Sequence, residues 1–301
     1  MEYKPDNPVL IVGCGYIGRR VAALLKKCGR SVTGLVRSAE SARELAGSGI
    51  ETLVCDLDRD IPPLASGFRD IFYFAPPPGD GPTDTRMTRV LAALVHAPRR
   101  IVYISTSAVY GDCNGAWIDE DQPLKPTTAR GQRRLDAERQ LQAWAQAHGG
   151  AQWIILRVPG IYGPGKLPLA RLRQGLPVLR EDQAPYTNRI HGDDLAAICV
   201  AAMDSEHADT VYNVSDGHPG NMTDYFFRVA DAAGLPHPPV VARDAADTVL
   251  SAGMLSFLND SRRMRNDKLL KELGVVLQYP DLESGLAGCF GRQTGAGGSL
   301  R

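Results

Sequence analysis

Val9-Leu10-Ile11-Val12-Gly13-Cys14-Gly15-Tyr16-Ile17-Gly18 reads as a buried strand running straight into Gly-x-Gly-x-x-Gly, and a helix-compatible run, Arg19 to Lys27, follows. In that setting each glycine has its own part. Gly13 allows the tight turn, Gly15 lets the backbone approach a pyrophosphate, and Gly18 lets the helix pack close to the strand. Phosphates then meet the free N–H groups and the positive dipole end of the first helix. A chain with 31 glycines offers such spacings by chance. The strand before and the helix after give this one its meaning.

Outward from that stretch, apolar runs and helical patterns alternate. The pattern predicts strands over 8–13, 31–36, 50–55, 71–75, 100–106 and 151–157, and helices over 16–28, 38–47, 84–97, 128–148, 192–204 and 222–234. Such alternation implies an α/β fold: a Rossmann-type, doubly wound parallel sheet covered on both faces. Ile101-Val102-Tyr103-Ile104 is apolar on both sides, as a buried parallel strand should be. Pro76-Pro77-Pro78-Gly79-Asp80-Gly81-Pro82 admits neither helix nor central strand and leaves the fourth strand as a stiff loop. The expected organisation is a nucleotide-binding lobe over 1–160, continued by 190–215. A small substrate lobe takes 161–189 and 216–290, and a disordered tail follows from 291.

The chain has 301 residues, enough for a large core, with 34 acidic and 34 basic residues in balance. No polybasic block appears, so nucleic acid and membrane surfaces are not expected partners. No apolar run is long enough to span a bilayer and no signal peptide precedes the first strand. The six cysteines are scattered without metal-ligand pairing and read as reduced thiols, so the expected compartment is the cytoplasm and no metal is expected.

Dinucleotide sites that take NAD place an acid at the end of the second strand, against the ribose hydroxyls. Here that strand ends Leu35-Val36-Arg37-Ser38, with Arg37 near the acid's place. A carboxylate there would repel a 2′-phosphate, and a guanidinium binds one through a forked pair of hydrogen bonds. NADP is therefore the expected cofactor, with NAD the alternative, and Arg19 can assist. Asp56, after the third strand, is placed to meet the adenine amino group.

Ile104-Ser105-Thr106-Ser107-Ala108-Val109-Tyr110-Gly111-Asp112 resembles the fifth-strand motif of the extended short-chain dehydrogenase/reductases, the NAD-dependent epimerase/dehydratase family. Leu156-Arg157-Val158-Pro159-Gly160-Ile161-Tyr162-Gly163-Pro164-Gly165 resembles its sixth-strand loop, and Arg189-Ile190-His191-Gly192-Asp193-Asp194 its His-x-Asp-Asp segment. Val211-Tyr212-Asn213-Val214 resembles a later strand, and Ser261-Arg262-Arg263 to Glu272-Leu273-Gly274 the C-terminal signature. The matches run in family order over most of residues 8–287. The resemblance implies hydride exchange with a bound nicotinamide, usually on nucleotide sugars, by a Ser/Thr plus Tyr-x-x-x-Lys set. It places the catalytic hydroxyl on Thr106, with Ser107 as fallback. It implies a homodimer built through the helices over 84–97 and 128–148.

One segment departs from the pattern. Pro126-Thr127-Thr128-Ala129-Arg130-Gly131-Gln132-Arg133-Arg134-Leu135-Asp136-Ala137-Glu138 fills the slot of the Tyr-x-x-x-Lys helix, so Arg130 stands at the tyrosine position and Arg134 at the lysine position. Arg134 can still hold the nicotinamide ribose. Arg130 cannot exchange a proton near neutrality, because a guanidinium titrates at about 12 or above. This departure resembles the atypical branch of the superfamily. The expected catalytic set is Thr106, Tyr110, Arg134 and Tyr162, the two tyrosines standing in as proton donors. The expected cofactor contacts are Gly13, Gly15, Tyr16, Ile17, Gly18, Arg37, Asp56, Leu57, Ala75 and Arg134. Ser107, Arg130 and His191 are expected to face a small-molecule substrate, and Asp194 to cap the helix that begins there. Two classes of function follow: an NADP-dependent oxidoreductase or epimerase with a non-standard proton donor, or a catalytically silent nucleotide sensor.

Overall fold

The computed structural model describes residues 8–64 and 67–291. The expected tail beyond Gly291 lies outside the described residues. In chain order the main elements are β1 (Val9–Val12), α1 (Tyr16–Lys27), β2 (Val32–Val36), α2 (Ala39–Ala46), β3 (Glu51–Val54), β4 (Asp70–Tyr73), α3 (Thr85–Ala93), β5 (Arg100–Thr106) and α4 (Ala129–Ala147). After them come β6 (Gln152–Val158), α5 (Leu169–Arg173), α6 (Gly192–Asp204), β7 (Thr210–Asn213) and α7 (Met222–Ala232).

The seven strands form one parallel sheet in the order β7-β6-β5-β4-β1-β2-β3. Every residue of β1 is fully buried, because helices cover both faces. Val9 and Ile11 pack with Val21 and Leu25 of α1 and Leu195, Ile198 and Ala202 of α6. Leu10 and Val12 pack on the other side with Met87 and Leu91 of α3 and Ala137 and Leu141 of α4. The order reverses between β1 and β4, so a crevice opens there beyond the strand ends, where open α/β sheets bind ligands.

Local chemistry sets most helix starts. Ser38, Asp84, Thr128 and Asn221 each accept backbone N–H bonds at the head of α2, α3, α4 and α7. Helix α3 ends earlier than the pattern predicts, because the chain turns extended at Leu94 and bridges Leu64. At the far end of the sheet the buried Arg100 donates to the carbonyls of Ala202, Met203 and Ser205 at 2.7–3.0 Å, satisfying the end of α6.

Segments after β6 other than α6 and β7 build a smaller cluster: Leu172, Val178 and Leu179 with Tyr225, Phe226 and Val229 of α7 and Leu286. Asp216 lies just beyond β7. It is buried, its Oδ1 accepts the His218 N–H at 2.9 Å, and burial pushes its pKa up to about 6. Unfolded, an aspartate titrates at about 3.9. The protonated form is thus favoured in the fold, so its contribution is full below about pH 4 and lost as pH rises through about 6. Asp216→Asn, which keeps the acceptor, is expected to stabilise the chain at pH 8 by up to about 2–3 kcal/mol and to flatten the pH dependence. Urea midpoints at pH 4.5 and 8 check this. An unchanged difference between the two pH values would assign the effect elsewhere.

Candidate active site

The glycine loop divides its tasks as the spacing requires. Gly13 sits at φ +86°, and a Cβ there would lie 2.6 Å from Ala75 N. A Cβ on Gly15 would meet nothing within 4 Å, so the backbone there faces open space. A Cβ on Gly18 would stand 3.1 Å from Ile11 Cγ2, which is the close packing of α1 on β1. Helix α1 has no side-chain cap and no acidic residue in its first turn, so its N-terminal amides stay available to an anion.

A cleft of about 1070 Å³ starts at this loop and passes Arg37 and Ser41 on one side and Thr106, Ser107 and Ala108 on the other. Arg37 is largely exposed, with Nε 3.6 Å from Asp56. Asp56, Leu57 and Ala75 are not brought into its lining: Leu57 and Ala75 are buried, and Asp56 lies against Arg37. Tyr16 and Ile17 line it. The Arg20 guanidinium lies 3.8 Å over the Tyr16 ring, and the phenol oxygen is buried against Gly163.

Thr106 closes β5, and its Oγ1 accepts the Ala108 N–H at 3.3 Å, turning the chain into a short 3-10 turn. Helix α4 abuts that turn: a Cβ on Gly131 would lie 2.8 Å from Ala108 O. Arg134 Nη1 donates to Ile104 O at 2.8 Å and to Tyr103 Oη at 3.3 Å, which pins the guanidinium beside Thr106. Arg130, one turn earlier on α4, lines the same cleft. Desolvation by the surrounding protein, then the like charges of Arg134 and Arg133, lower its pKa. Thr106, Ser107, Arg130 and Arg134 are therefore brought together.

Three expected residues are not brought there. Tyr110 is fully buried away from the cleft; its hydroxyl donates to Asn213 Oδ1 at 2.7 Å and accepts from Arg157 at 3.0 Å. Burial pushes its pKa up to about 12. Tyr162 is also fully buried, donating to Asp281 O at 3.2 Å, and burial followed by the nearby Asp216 drives its pKa far above the usual phenol value. Neither ring can serve as the proton donor in this arrangement, because each hydroxyl is committed inside the core. His191 is buried as well: its Nδ1 accepts the Asp193 N–H at 3.2 Å and its ring packs on Tyr162 and Tyr279. It caps α6, the part expected of Asp194, while Asp194 accepts from the Gln278 and Tyr279 amides and ties down the C-terminal segment.

The cleft wall also holds residues that sequence reasoning did not select, among them Lys166, Tyr186, Arg189, Tyr225, Phe226, Asp260 and Arg262. Arg189 lies 3.4 Å over the Tyr225 ring and donates to Thr187 Oγ1 at 3.1 Å. A sign was available: Arg189 opens a short strand paired with Gly160–Tyr162, immediately after the end of β6. Among the described residues the charged groups in the wall are Arg19, Arg37, Arg130, Arg134, Lys166, Arg189 and Arg262 against Asp260 alone. In a chain of balanced charge this concentrates a positive potential in one crevice.

Comparison with known proteins agrees with this fold. The sequence profile of the NAD dependent epimerase/dehydratase family matches residues 82–215. The chain is similar to Protein YeeZ of Escherichia coli (strain K12), 28% identical over 294 residues that cover 91% of this chain and 96% of that one. It is 25% identical to a UDP-glucose 4-epimerase of Corynebacterium glutamicum, over 90% of this chain and 91% of the relative. Among solved structures, a functionally unknown conserved protein from Silicibacter pomeroyi superposes with a TM-score of 0.82 at 33% identity, covering 95% of this chain and 99% of that one.

Proposed function

The chain belongs to the NAD-dependent epimerase/dehydratase family, and from that membership we propose that it binds NADP in the strand-end cleft and acts as an oxidoreductase or epimerase on a polar, anionic small molecule such as a nucleotide sugar. The observation that carries this reading is the cleft itself. It runs from an uncapped helix N-terminus, past a glycine with open space before it, to Thr106. When bound, the nicotinamide supplies hydride exchange with a substrate carbon. The loop 13–18 would hold the pyrophosphate, and Arg37, with Ser41 beside it, the 2′-phosphate. Arg134, fastened to Ile104 O, would hold the ribose near the ring.

Thr106 would hydrogen-bond the reacting oxygen. With Tyr110 and Tyr162 committed to the core and Arg130 a permanent cation, the proton would exchange with water through the Thr106 hydroxyl. A positioned general acid contributes about 10²–10⁴-fold in rate, so turnover is expected to be slow. That same absence favours the second reading, a nucleotide sensor of the same fold. A homodimer through α3 and α4 belongs to the first reading.

Calorimetric titration with NADPH and NADH, followed by incubation of the loaded protein with sugar nucleotides and carbonyl compounds, tests the proposal. Binding with turnover supports the enzyme, and tight binding without turnover supports the sensor. Binding of neither nucleotide ends both. Arg37→Glu is expected to weaken NADPH at least tenfold and leave NADH within about threefold, since a charge-assisted phosphate contact is worth about 1.5–3 kcal/mol. An equal loss for both nucleotides would remove Arg37 from 2′-phosphate recognition.

A further inference from the structure

Beside Thr106 the cleft presents two guanidinia at helical i, i+4 spacing, Arg130 and Arg134. They are held differently. Arg134 is nine-tenths buried, fixed to Ile104 O and Tyr103 Oη, and has the buried carboxylate of Asp84 in electrostatic reach behind the wall. Arg130 has no hydrogen-bond or carboxylate partner among the described residues, and its charged neighbours are Arg134 and Arg133. Arg133 is turned away and donates to Gly81 O at 2.8 Å. Asp260, the one wall carboxylate among the described residues, is taken up by Arg262 at 3.3 Å and by Thr127 at 2.8 Å.

Two like charges one helical turn apart repel. A ligand anion relieves the repulsion. A guanidinium fork fits a carboxylate with two parallel hydrogen bonds, which gives the pair direction as well as charge. A substrate whose reacting oxygen meets Thr106 places the atoms on the next carbon within reach of the α4 side chains, because α4 is in backbone contact with the 107–110 turn.

We infer that Arg130 and Arg134 form a carboxylate clamp, and that the substrate carries a carboxylate on the carbon next to the one that reacts at Thr106. This rests on the dinucleotide reading above and narrows its substrate class. Arg130 is the specificity-determining residue, and Arg134 is shared between the ribose and the carboxylate. Lys166, Arg189 and Arg262 remain for any further anionic group along the cleft.

Oxamate is the probe, and ethyl oxamate, its neutral ester, the control. Titrated into the NADP-saturated protein, oxamate is expected to bind in the millimolar range or tighter and the ester to give no heat. Arg130→Gln is expected to weaken oxamate at least tenfold with NADP affinity within about twofold, and Arg130→Lys to recover part of the loss. Arg130 is exposed, so both variants should fold, and their melting temperatures verify this. Equal oxamate affinity in Arg130→Gln, equal binding of the ester, or tighter binding of inorganic phosphate than oxamate would each overturn the clamp. A protein that takes NADP and gives no heat with oxamate overturns the clamp alone. One that takes no nucleotide overturns the function with it.

Discussion

Gly13→Ala is expected to abolish the thermal shift given by NADPH and to lower stability by about 3 kcal/mol or more, the sum of a left-handed backbone cost of about 1–2 kcal/mol and a steric overlap. The overlap is with backbone: the added carbon would stand 2.6 Å from Ala75 N and 2.7 Å from Ala75 Cα. No rotamer change relieves that. The turn must back away from the end of β4 and carry the first turn of α1 with it. Gly15→Ala separates fold from binding, because its added methyl meets open space. It should melt near the parent temperature and still lose nucleotide affinity. Differential scanning with and without NADPH reads both. A Gly13→Ala protein that melts normally and binds normally would show that the approach to Ala75 relaxes without consequence.

Glu138→Ala is expected to cost about 3–5 kcal/mol, because it leaves the Arg157 guanidinium buried and uncompensated. Both side chains are almost wholly enclosed, with Arg157 Nη2 donating to Glu138 Oε2 at 2.9 Å. The pair is the centre of a chain of contacts. Ser105 donates to Glu138, Arg157 donates to Tyr110, Tyr110 donates to Asn213, and Glu120 accepts the Asn213 amide. These residues join α4, β5, β6 and β7. Urea unfolding checks the cost. The double variant Glu138→Leu with Arg157→Met is expected to recover much of it, since a hydrophobic replacement of a whole buried pair is often neutral. A single variant within about 1 kcal/mol of the parent would mean that water reaches the pair.

The network also explains why part of the site was illegible. Tyr110 and Tyr162 follow strands and sit near family motifs, so a linear reading can aim both at the crevice. Their directions are set by Asn213 and Arg157 in one case and by Asp281 in the other, partners 47 to 119 residues away. His191 took the cap expected of Asp194 for the same reason: the Gln278 and Tyr279 amides, 84 and 85 residues on, claim the carboxylate and leave the cap to the imidazole. Thr106, Arg130 and Arg134 were placed by the family resemblance of one strand end and one helix, and all three line the cleft.

The amino-acid order by itself determined the parallel α/β architecture, the glycine turn and the order of the main strands and helices. These rest on periodicity, capping and backbone freedom, which are properties of a few consecutive residues. Only the tertiary structure decided which hydroxyls are spent in the core, that Arg189 and Arg262 join the crevice, and that cations outnumber carboxylates along its described wall. Exposure and electrostatic pairing belong to atoms that meet only after the chain has folded, and no local pattern records who those neighbours will be.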